Sequence, residues 1–482
     1  KGKQNILISK IFSAKFNFLF HFAIFSQIIY TFATNPSNLL SKAKYSHQSD
    51  SHKRNLPPNK SGCGSEKHFQ ASLNVFRSPC TIFALHMRAF IKTLIIGLVC
   101  ILATGMQACE DSPEQKPTAV NKTLLMFMPW TGDLTEYLSK NIDDMESVIA
   151  SNGLYSERVL VYFATSESEA TLFEIIPSKG STSRRLLKKY STGNLPDITT
   201  PAGLASMLAE VKSLSPSSHY ALAVGCHGYG WLPKSAFASK GKQQWLLTVS
   251  AGDDAGFPTR FFGGTQTDWQ IDMTDFAEGI RMSGLHFDYI LFDDCYMASI
   301  EAIYDLRHLT DYVVASPCEM MAAGLPYANI GQHLLGTPDL KALCDGFYDF
   351  YSSYRMPYGT LSVVDCHEMD NLAALMKRIN ITHTIDDSEV SSIQRLDYFR
   401  PAVFVDLGDY AERLIGNDAV LLDEFKKQLS KTVVYEVHTP YYYTNSAGRI
   451  KLDRCCGVSV SDPSTHSFAS AKTATSWWID TH

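Results

Sequence analysis

The chain has 482 residues, of which 45% are hydrophobic and 19% are charged, and its formal net charge is −6. This mildly acidic composition gives no reason to expect a nucleic acid as a partner, because nucleic-acid binding relies on clustered positive charge. The length allows more than one folded domain.

The first 86 residues show no pattern typical of a folded domain. The chain begins with Lys1 rather than Met, 6–32 is rich in Phe and Ile without amphipathic order, and 35–67 is polar. We expect residues 1–86 to be a non-native upstream extension, and the alternative is a genuine disordered extension. Any peptide from 1–86 in a mass spectrum of the native protein would exclude the first interpretation.

Residues 87–108 have the organisation of an export signal. Arg88 and Lys92 provide positive charge, 90–102 is an apolar core too short for an ordinary membrane span, and small residues follow. The sequence Met-Gln-Ala-Cys ending at Cys109 is similar to a relaxed bacterial lipoprotein cleavage box. This similarity predicts lipidation of Cys109, a polar tether over 109–122 and a location in the bacterial cell envelope, either periplasmic or on the cell surface.

From residue 123 onward, the sequence predicts alternating strands and helices. The predicted strands are 123–130, 158–164, 171–176 (at an edge), 220–224, 289–292, 311–316 and 360–366. The predicted helices are 133–150, 201–214, 273–282, one starting at Cys295, 340–354, 370–385 and 419–432. This order predicts an α/β fold with a mainly parallel sheet and helices on both faces. Aromatic strands are predicted in the tail, at 433–443, 457–461 and 476–479.

Cys295 follows one of these buried strands directly, after two aspartates. Apolar residues recur at helical spacing beyond it, so the sequence places Cys295 at a strand-to-helix corner. Free N–H groups and the helix dipole at such a corner favour an anion, which would populate the thiolate.

His227 is the best candidate for the base that a cysteine nucleophile needs. It stands just past the end of the 220–224 strand, and Gly228 and Gly230 allow tight turns there. Parallel strands of an open α/β sheet present functional groups at their carboxyl ends. His227 and Cys295 are therefore expected to meet in one open cleft at the same edge of the sheet.

These two motifs, strand-His-Gly and strand-Asp-x-Cys, resemble those of caspase-like cysteine peptidases. The longer sequence Phe-Asp-Asp-Cys-Tyr-Met-Ala-Ser at 292–299, followed by 311–316 and Pro326-Tyr327, resembles the clostripain family. The resemblance implies a caspase-like three-layer α/β/α sandwich with a mainly parallel sheet over 123–370. A C-terminal subdomain over 371–482 is expected to pack on that core.

The resemblance also implies a Cys/His dyad that hydrolyses peptide bonds. Cys295 would be the nucleophile, His227 the proton shuttle, and the backbone N–H groups of Gly228 and Cys295 the oxyanion donors. No orienting third residue is evident in the sequence. The alternative for Cys295 is a buried inert cysteine, and for His227 a glycine-loop histidine with a structural hydrogen bond.

Three further residues are substrate-binding candidates. In the clostripain family an acidic residue two positions before the nucleophile helps to bind a basic P1 side chain, and Asp293 has that place; its alternative role is a helix N-cap. Ser316 ends the predicted 311–316 strand, and Glu319 lies in the loop that begins there. These matches favour cleavage after Arg or Lys, although the second acidic residue of the family's pocket has no clean counterpart.

A long irregular insertion, 232–267, separates the His227 and Cys295 strands. The family cuts itself after a basic residue in this region, and the candidate sites are Lys240, Lys242 and Arg260. The pair Asp253-Asp254 is a possible calcium site, but a solvated acidic turn is the simpler interpretation. No pair of Cys or His residues has zinc-ligand spacing, and the adjacent Cys455 and Cys456 are not expected to form a disulfide.

Two hypotheses about function follow. The leading one is a secreted, lipid-anchored cysteine endopeptidase that acts on proteins or peptides and contacts a membrane only through its anchor. The second is a catalytically silent surface lipoprotein that binds peptides in the same cleft, which an iodoacetamide-unreactive Cys295 would favour. A caspase-like enzyme that cleaves after acidic residues is disfavoured by the acidic Asp293.

Overall fold

The computed structural model describes residues 120–129, 132–166, 168–236 and 270–482. The described residues belong to one compact unit. The predicted extension, the export signal, Cys109, the three self-cleavage candidates and Asp253-Asp254 lie outside the described residues.

Strands and helices alternate through the described chain. The strands are β1 (Val120–Met128), β2 (Glu157–Ser166), β3 (Glu169–Ser178), β4 (Ser181–Tyr190), β5 (Ser217–Val224), β6 (Phe287–Phe292), β7 (Thr310–Ala315), β8 (Thr360–Asp365), β9 (Val405–Asp406), β10 (Val433–His438), β11 (Tyr441–Thr444), β12 (Gly448–Lys451) and β13 (Ser459–Val460). The helices are α1 (Thr135–Asn152), α2 (Pro201–Leu214), α3 (Met273–Ser283), α4 (Ile300–Leu306), α5 (Tyr327–Ile330), α6 (Leu340–Ser353), α7 (Met369–Thr382), α8 (Asp387–Val390), α9 (Leu407–Ile415), α10 (Ala419–Thr432) and α11 (Ser476–Thr481).

A nine-stranded sheet organises the described part of the chain. Its order is β10-β8-β7-β6-β5-β1-β2-β3-β4. The central strands β7, β6, β5, β1 and β2 run parallel, and antiparallel strands extend the sheet on both sides. The predicted α/β class with a mainly parallel central sheet is confirmed, and the C-terminal region contributes an edge strand, β10, to it.

Helices flank this sheet in two groups of mutual contacts. One group joins α1, α5 and α6, and the other runs from α2 through α3, α4, α11 and α7 to α10. The helix predicted at 133–150 corresponds to α1, and its apolar stripe is buried, at Leu134 just before the helix and at Leu138, Ile142, Met145 and Ile149 within it. The parallel strands between the helices are buried on both faces, as expected for such a sheet.

The strand β4 was not predicted, and because it is the outermost strand, β3 is not at the edge of the sheet. The sequence predicted that 171–176 lies at an edge, but β4 pairs outside β3, so that prediction is wrong. β4 reads Ser-Thr-Ser-Arg-Arg-Leu-Leu-Lys-Lys-Tyr and is mostly exposed. Charged side chains on an edge strand prevent it from pairing with other chains. β4 has such side chains and fills no core, so it lacks the alternation of apolar and polar residues that predicts a half-buried strand.

The tail also differs from its predicted strands. The predicted strand 433–443 is split into β10 and β11 around Pro440, which has no N–H to donate to a ladder. Residues 476–479 form the helix α11 instead of a strand, and Thr475 caps it by accepting a hydrogen bond from the N–H of Trp478 at 3.2 Å. Trp477 is fully buried, because helical spacing turns it toward the core.

Two features are absent from the residues that the structure describes. None of the described helices is both long and apolar enough to cross a membrane. Within the same residues, no group of three or more His, Cys, Asp or Glu side chains is arranged to hold a metal ion.

Candidate active site

The loops that carry His227 and Cys295 leave neighbouring parallel strands at the same edge of the sheet. Val224 of β5 lies opposite Phe292 of β6, and each candidate follows its strand's paired residue by three positions. Two hydrogen bonds join the loops: the Asp293 N–H donates to the Val224 carbonyl at 2.8 Å, and the Cys226 N–H donates to Asp294 Oδ1 at 2.5 Å.

Gly228 brings the two loops into backbone contact. A Cβ atom at this position would lie 2.3 Å from the carbonyl oxygen of Cys295 and 3.1 Å from its nitrogen. Real Cβ atoms do not approach backbone atoms at the shorter of these distances, so only glycine fits without a shift of one loop. The glycine predicted as an oxyanion donor thus packs directly on the backbone of the predicted nucleophile.

The local structure after Cys295 differs from the predicted helix start. Residues 295–298 form a turn, and α4 begins only at Ile300. Tyr296 has a φ of 61°, which is uncommon for a residue other than glycine and marks a constrained backbone next to Cys295. The predicted helix start at Cys295 is therefore wrong, because the turn separates Cys295 from α4.

The sulfur of Cys295 is sealed inside the protein in this structure. Cys295 has 0% exposure and His227 has 2%. The N–H of Met320, in the loop after β7, donates to Sγ at 3.1 Å. The structure thus brings the two candidates to one edge, but it does not show the open cleft that the sequence predicted.

A third residue, Asp133, joins this site, although no motif in the sequence marks it as a candidate. It follows β1, which is the other neighbour of β5 in the sheet. Asp133 Oδ1 lies 3.1 Å from Nε2 of His227, and the Asp133 side chain is 55% exposed. The available signal was an acidic residue just beyond a predicted strand end, which many surface loops share.

The three substrate-binding candidates are all buried, and each has a hydrogen-bond partner. Asp293 Oδ1 accepts from the Leu325 N–H at 2.7 Å. Its alternative role as a helix N-cap is wrong, because Ser299 holds the N-cap position of α4. Ser316 Oγ lies 2.6 Å from Thr360 Oγ1.

Glu319 connects the site to the C-terminal region. Its Oε2 accepts from the Tyr296 hydroxyl at 2.9 Å, and its Oε1 accepts from the Asn445 N–H at 3.1 Å, between β11 and β12. Tyr296 in turn stacks between Tyr229 and Phe404. Burial raises the pKa of the Tyr229 and Tyr296 hydroxyls well above their ordinary value, so both stay protonated at neutral pH.

The other described cysteines have structural surroundings. Cys318, Cys344 and Cys366 are buried, and burial raises the pKa of each thiol. Cys455 and Cys456 are both free, which confirms that the adjacent pair forms no disulfide.

Comparisons with known proteins agree with the topology and the motifs. The family model described as "Clostripain family" matches residues 127–452, well over half of the chain. A secreted C11 cysteine protease from Bacteroides thetaiotaomicron, "iotapain", is 43% identical with a TM-score of 0.70, and the match covers 76% of this chain and 100% of that one.

Two further solved structures are similar to parts of the chain. An inactive zymogen C11 protease from Parabacteroides distasonis is 24% identical with a TM-score of 0.62, over 76% of this chain and 99% of that one. A clostripain from Bacteroides thetaiotaomicron ATCC 29148 in complex with a peptide inhibitor is 50% identical over 46% of this chain and 99% of that one, with a TM-score of 0.45. A comparison with curated proteins found no match. The extent of the family match, together with the similarity to iotapain over that protein's whole length, shows that this chain belongs to the clostripain family of cysteine peptidases.

Proposed function

We propose that the protein is an endopeptidase that hydrolyses peptide bonds with Cys295 as nucleophile and His227 as proton shuttle. The observation that carries the proposal is the pair of strand-end loops tied together by the Cys226–Asp294 hydrogen bond and by the close packing of Gly228 on Cys295. Nucleophile and base must be held within hydrogen-bonding reach of each other, and a shared edge of adjacent strands supplies that constraint.

The chemistry assigns each group one task. The Cys295 thiolate attacks the scissile carbonyl carbon, and the backbone N–H groups of Gly228 and Cys295 stabilise the resulting oxyanion. The His227 imidazolium then protonates the leaving amine, which gives an acyl-enzyme. Water hydrolyses this thioester and regenerates the thiol. No step draws on a metal ion, and a calcium requirement at Asp253-Asp254 would appear as activity lost in EDTA and restored by Ca²⁺.

Substrate can reach the sulfur only after the residues that cover it move. Met320 is one of these, since its N–H contacts Sγ. We further propose that cleavage after Lys240, Lys242 or Arg260 allows this movement. Replacing each of the three by Ala, singly and together, tests the proposal: the triple variant should stay uncut and inactive, whereas an uncut and active triple variant contradicts it.

A preference for Arg or Lys at P1 is proposed from the position of Asp293, two residues before Cys295. Its carboxylate lies beside the loop that contacts the sulfur, through its hydrogen bond to the Leu325 N–H. A carboxylate complements a guanidinium or an ammonium group. Fluorogenic peptides with Arg, Lys, Asp or Leu at P1 test this preference, and faster cleavage after Asp or Leu would rule it out.

Anchoring through lipidated Cys109 is proposed from the sequence motif, and the secreted nature of iotapain agrees with an exported protein. Metabolic labelling with a radioactive fatty acid tests it. Cys109→Ser should abolish the label, and a labelled Cys109→Ser protein would contradict the assignment.

The central experiment removes the nucleophile. Cys295→Ala should abolish hydrolysis of the preferred peptide while the circular dichroism spectrum is unchanged. Cys344→Ala, which removes a buried cysteine from α6, should keep most of the activity. Full activity in Cys295→Ala would overturn the proposed function.

A further inference from the structure

Three neighbouring strands deliver three polar side chains to one edge of the sheet. β6, β5 and β1 are consecutive in the sheet order, and their carboxyl ends lead to Cys295, His227 and Asp133 in that order. The histidine is therefore the middle member of the row. On one side its loop packs against Cys295, and on the other its Nε2 lies 3.1 Å from Asp133 Oδ1.

We infer that Asp133 is a positioning residue that orients the imidazole of His227 for proton exchange with Cys295. The inference rests on the proposed function, because it gives His227 a role in the same reaction. A carboxylate accepts a hydrogen bond and cannot donate one, so it holds the imidazole proton on Nε2. Nδ1 then carries the lone pair, and it is the nitrogen that exchanges a proton with the thiol.

The proton inventory of the reaction is consistent with this assignment. The thiol proton moves to Nδ1 as the thiolate forms, so the imidazolium carries protons on both nitrogens. Asp133 remains ionised and its hydrogen bond to Nε2–H strengthens as positive charge develops on the ring. When Nδ1 gives its proton to the leaving amine, the ring returns to the tautomer that Asp133 holds.

The two partners differ in burial, and this difference allows a defect in positioning to be distinguished from a defect in folding. His227 is 2% exposed, whereas the Asp133 side chain is 55% exposed and sits in the loop before α1. Exposed ion pairs contribute little to stability, so loss of this carboxylate should leave the fold intact. A kinetic defect in a folded protein is then attributable to the geometry of the histidine.

A competing role for Asp133 has different kinetics. An exposed carboxylate beside the dyad could instead attract a basic P1 side chain, which would raise KM for Arg and Lys peptides when the charge is removed. Positioning of His227 acts after the peptide is bound and therefore lowers kcat. Glu136, an exposed acid in the first turn of α1, is the matched control because its removal changes the local charge equally.

The test measures kcat and KM for the wild type, Asp133→Ala, Asp133→Asn and Glu136→Gln, with enzyme concentrations set by titration with an irreversible cysteine-directed peptide inhibitor. We expect Asp133→Ala to lower kcat by roughly ten- to a hundredfold, as for other small misplacements of a reacting group, with KM changed by less than about twofold. Asp133→Asn should recover part of kcat, because its amide oxygen still accepts the Nε2–H bond. Glu136→Gln should match the wild type.

Two results would overturn the inference without touching the proposed function. One is an unchanged kcat in folded Asp133→Ala. The other is an equal fall in kcat in Asp133→Ala and Glu136→Gln, which would assign the effect to lost local charge and not to the contact with His227. A wild-type enzyme with no Cys295-dependent hydrolysis would instead mean that the proposed function itself has failed, and the inference with it.

Discussion

The two ends of β5 and β6 carry similar residue types in opposite environments. At the amino end, His219 of β5 pairs with Asp288 of β6 at 3.0 Å, and the side chains are 55% and 28% exposed. At the carboxyl end, His227 and Asp294 follow the same two strands with 2% and 0% exposure. The imidazole and the carboxylate at the amino end meet in water. At the carboxyl end the Asp294 carboxylate is bound to backbone, and the His227 imidazole is bound to a third loop.

This difference shows that position in the sheet, and not residue type, sets what a histidine or an aspartate does here. A charge in solvent is screened, and its pairing adds little free energy. A buried carboxylate is costly to place unless backbone donors satisfy it, so its removal leaves those donors without a partner. The carboxyl end should therefore respond strongly to substitution and the amino end hardly at all.

The largest effect is expected at Asp294, which joins the two loops of the candidate site. Asp294→Ala removes the acceptor of the buried Cys226 N–H and should lower the free energy of unfolding by about 2–4 kcal/mol. Peptide hydrolysis should fall with it, because the His227 loop loses its tie to the Cys295 loop. Chemical denaturation and peptidase assays measure both, and Asp294→Asn should lose less. If Asp294→Ala had the free energy of unfolding of the wild type, the expected difference between the two ends would be contradicted.

A second large effect is expected at Gly228, on activity more than on stability. The added Cβ of Gly228→Ala would meet the Cys295 carbonyl oxygen at 2.3 Å, so one loop must shift. Shifts of this size at a reacting centre should lower kcat/KM by at least about tenfold. Gly346→Ala is the control, since its Cβ would meet a side-chain carbon of Ile330 at 3.2 Å and the Asn329 carbonyl oxygen at an ordinary contact distance of 3.7 Å. Equal activity of the two variants would contradict the proposed packing.

An intermediate effect, dependent on pH, is expected at two buried acids, Glu301 of α4 and Asp462 of the C-terminal region. Burial is the largest cause that raises the pKa of Glu301, to about 8, and the charge of Asp462 is the second. Burial also raises the pKa of Asp462, to about 7. Between pH 4.5 and 8 the folded chain keeps a proton at Glu301 that the unfolded chain releases. The contribution of Glu301 to the free energy of unfolding is therefore fully present below pH 4.5 and is lost as the pH rises toward 8.

Glu301→Gln should therefore match the wild type near pH 4.5 and exceed it in stability by about 1–3 kcal/mol near pH 8.5. The substituted amide oxygen can still accept the Ser461 N–H bond that Glu301 Oε1 accepts at 2.7 Å. Thermal unfolding across this pH range measures the difference. A gap that stays constant with pH would show that Glu301 does not titrate as a buried acid.

The sequence predicted the parts of this fold that depend on local pattern. Buried apolar runs located β5 and β6, and the predicted helix 201–214 agrees with α2, whose N-cap Thr200 and first residue Pro201 are local signals of a helix start. The carboxyl-end rule for parallel strands then placed His227 and Cys295 at one edge. The edge strand β4 was missed because its charged residues carry no core signal.

The site's finer features could not be predicted because they are products of long-range packing. The turn after Cys295 replaces a predicted helix, since Tyr296 is held by Cys318 and Glu319 from a distant loop. The contact between Asp133 and His227 joins residues 94 positions apart, and spacing gives no hint of it. The closure over the sulfur depends on Met320, whose apolar side chain gives no sign that its backbone N–H reaches Sγ.

The smallest effect is expected at His219, the amino-end counterpart of His227. His219→Ala removes one member of the exposed pair with Asp288, and the free energy of unfolding should change by less than about 0.5 kcal/mol. Peptidase activity should equal that of the wild type, whereas His227→Ala should have none. Measuring both variants in one denaturation series and one assay gives the comparison directly. If His219→Ala lost activity to the same extent as His227→Ala, the two ends of the strands would be coupled, and burial alone would no longer explain why the proposed chemistry needs only one end.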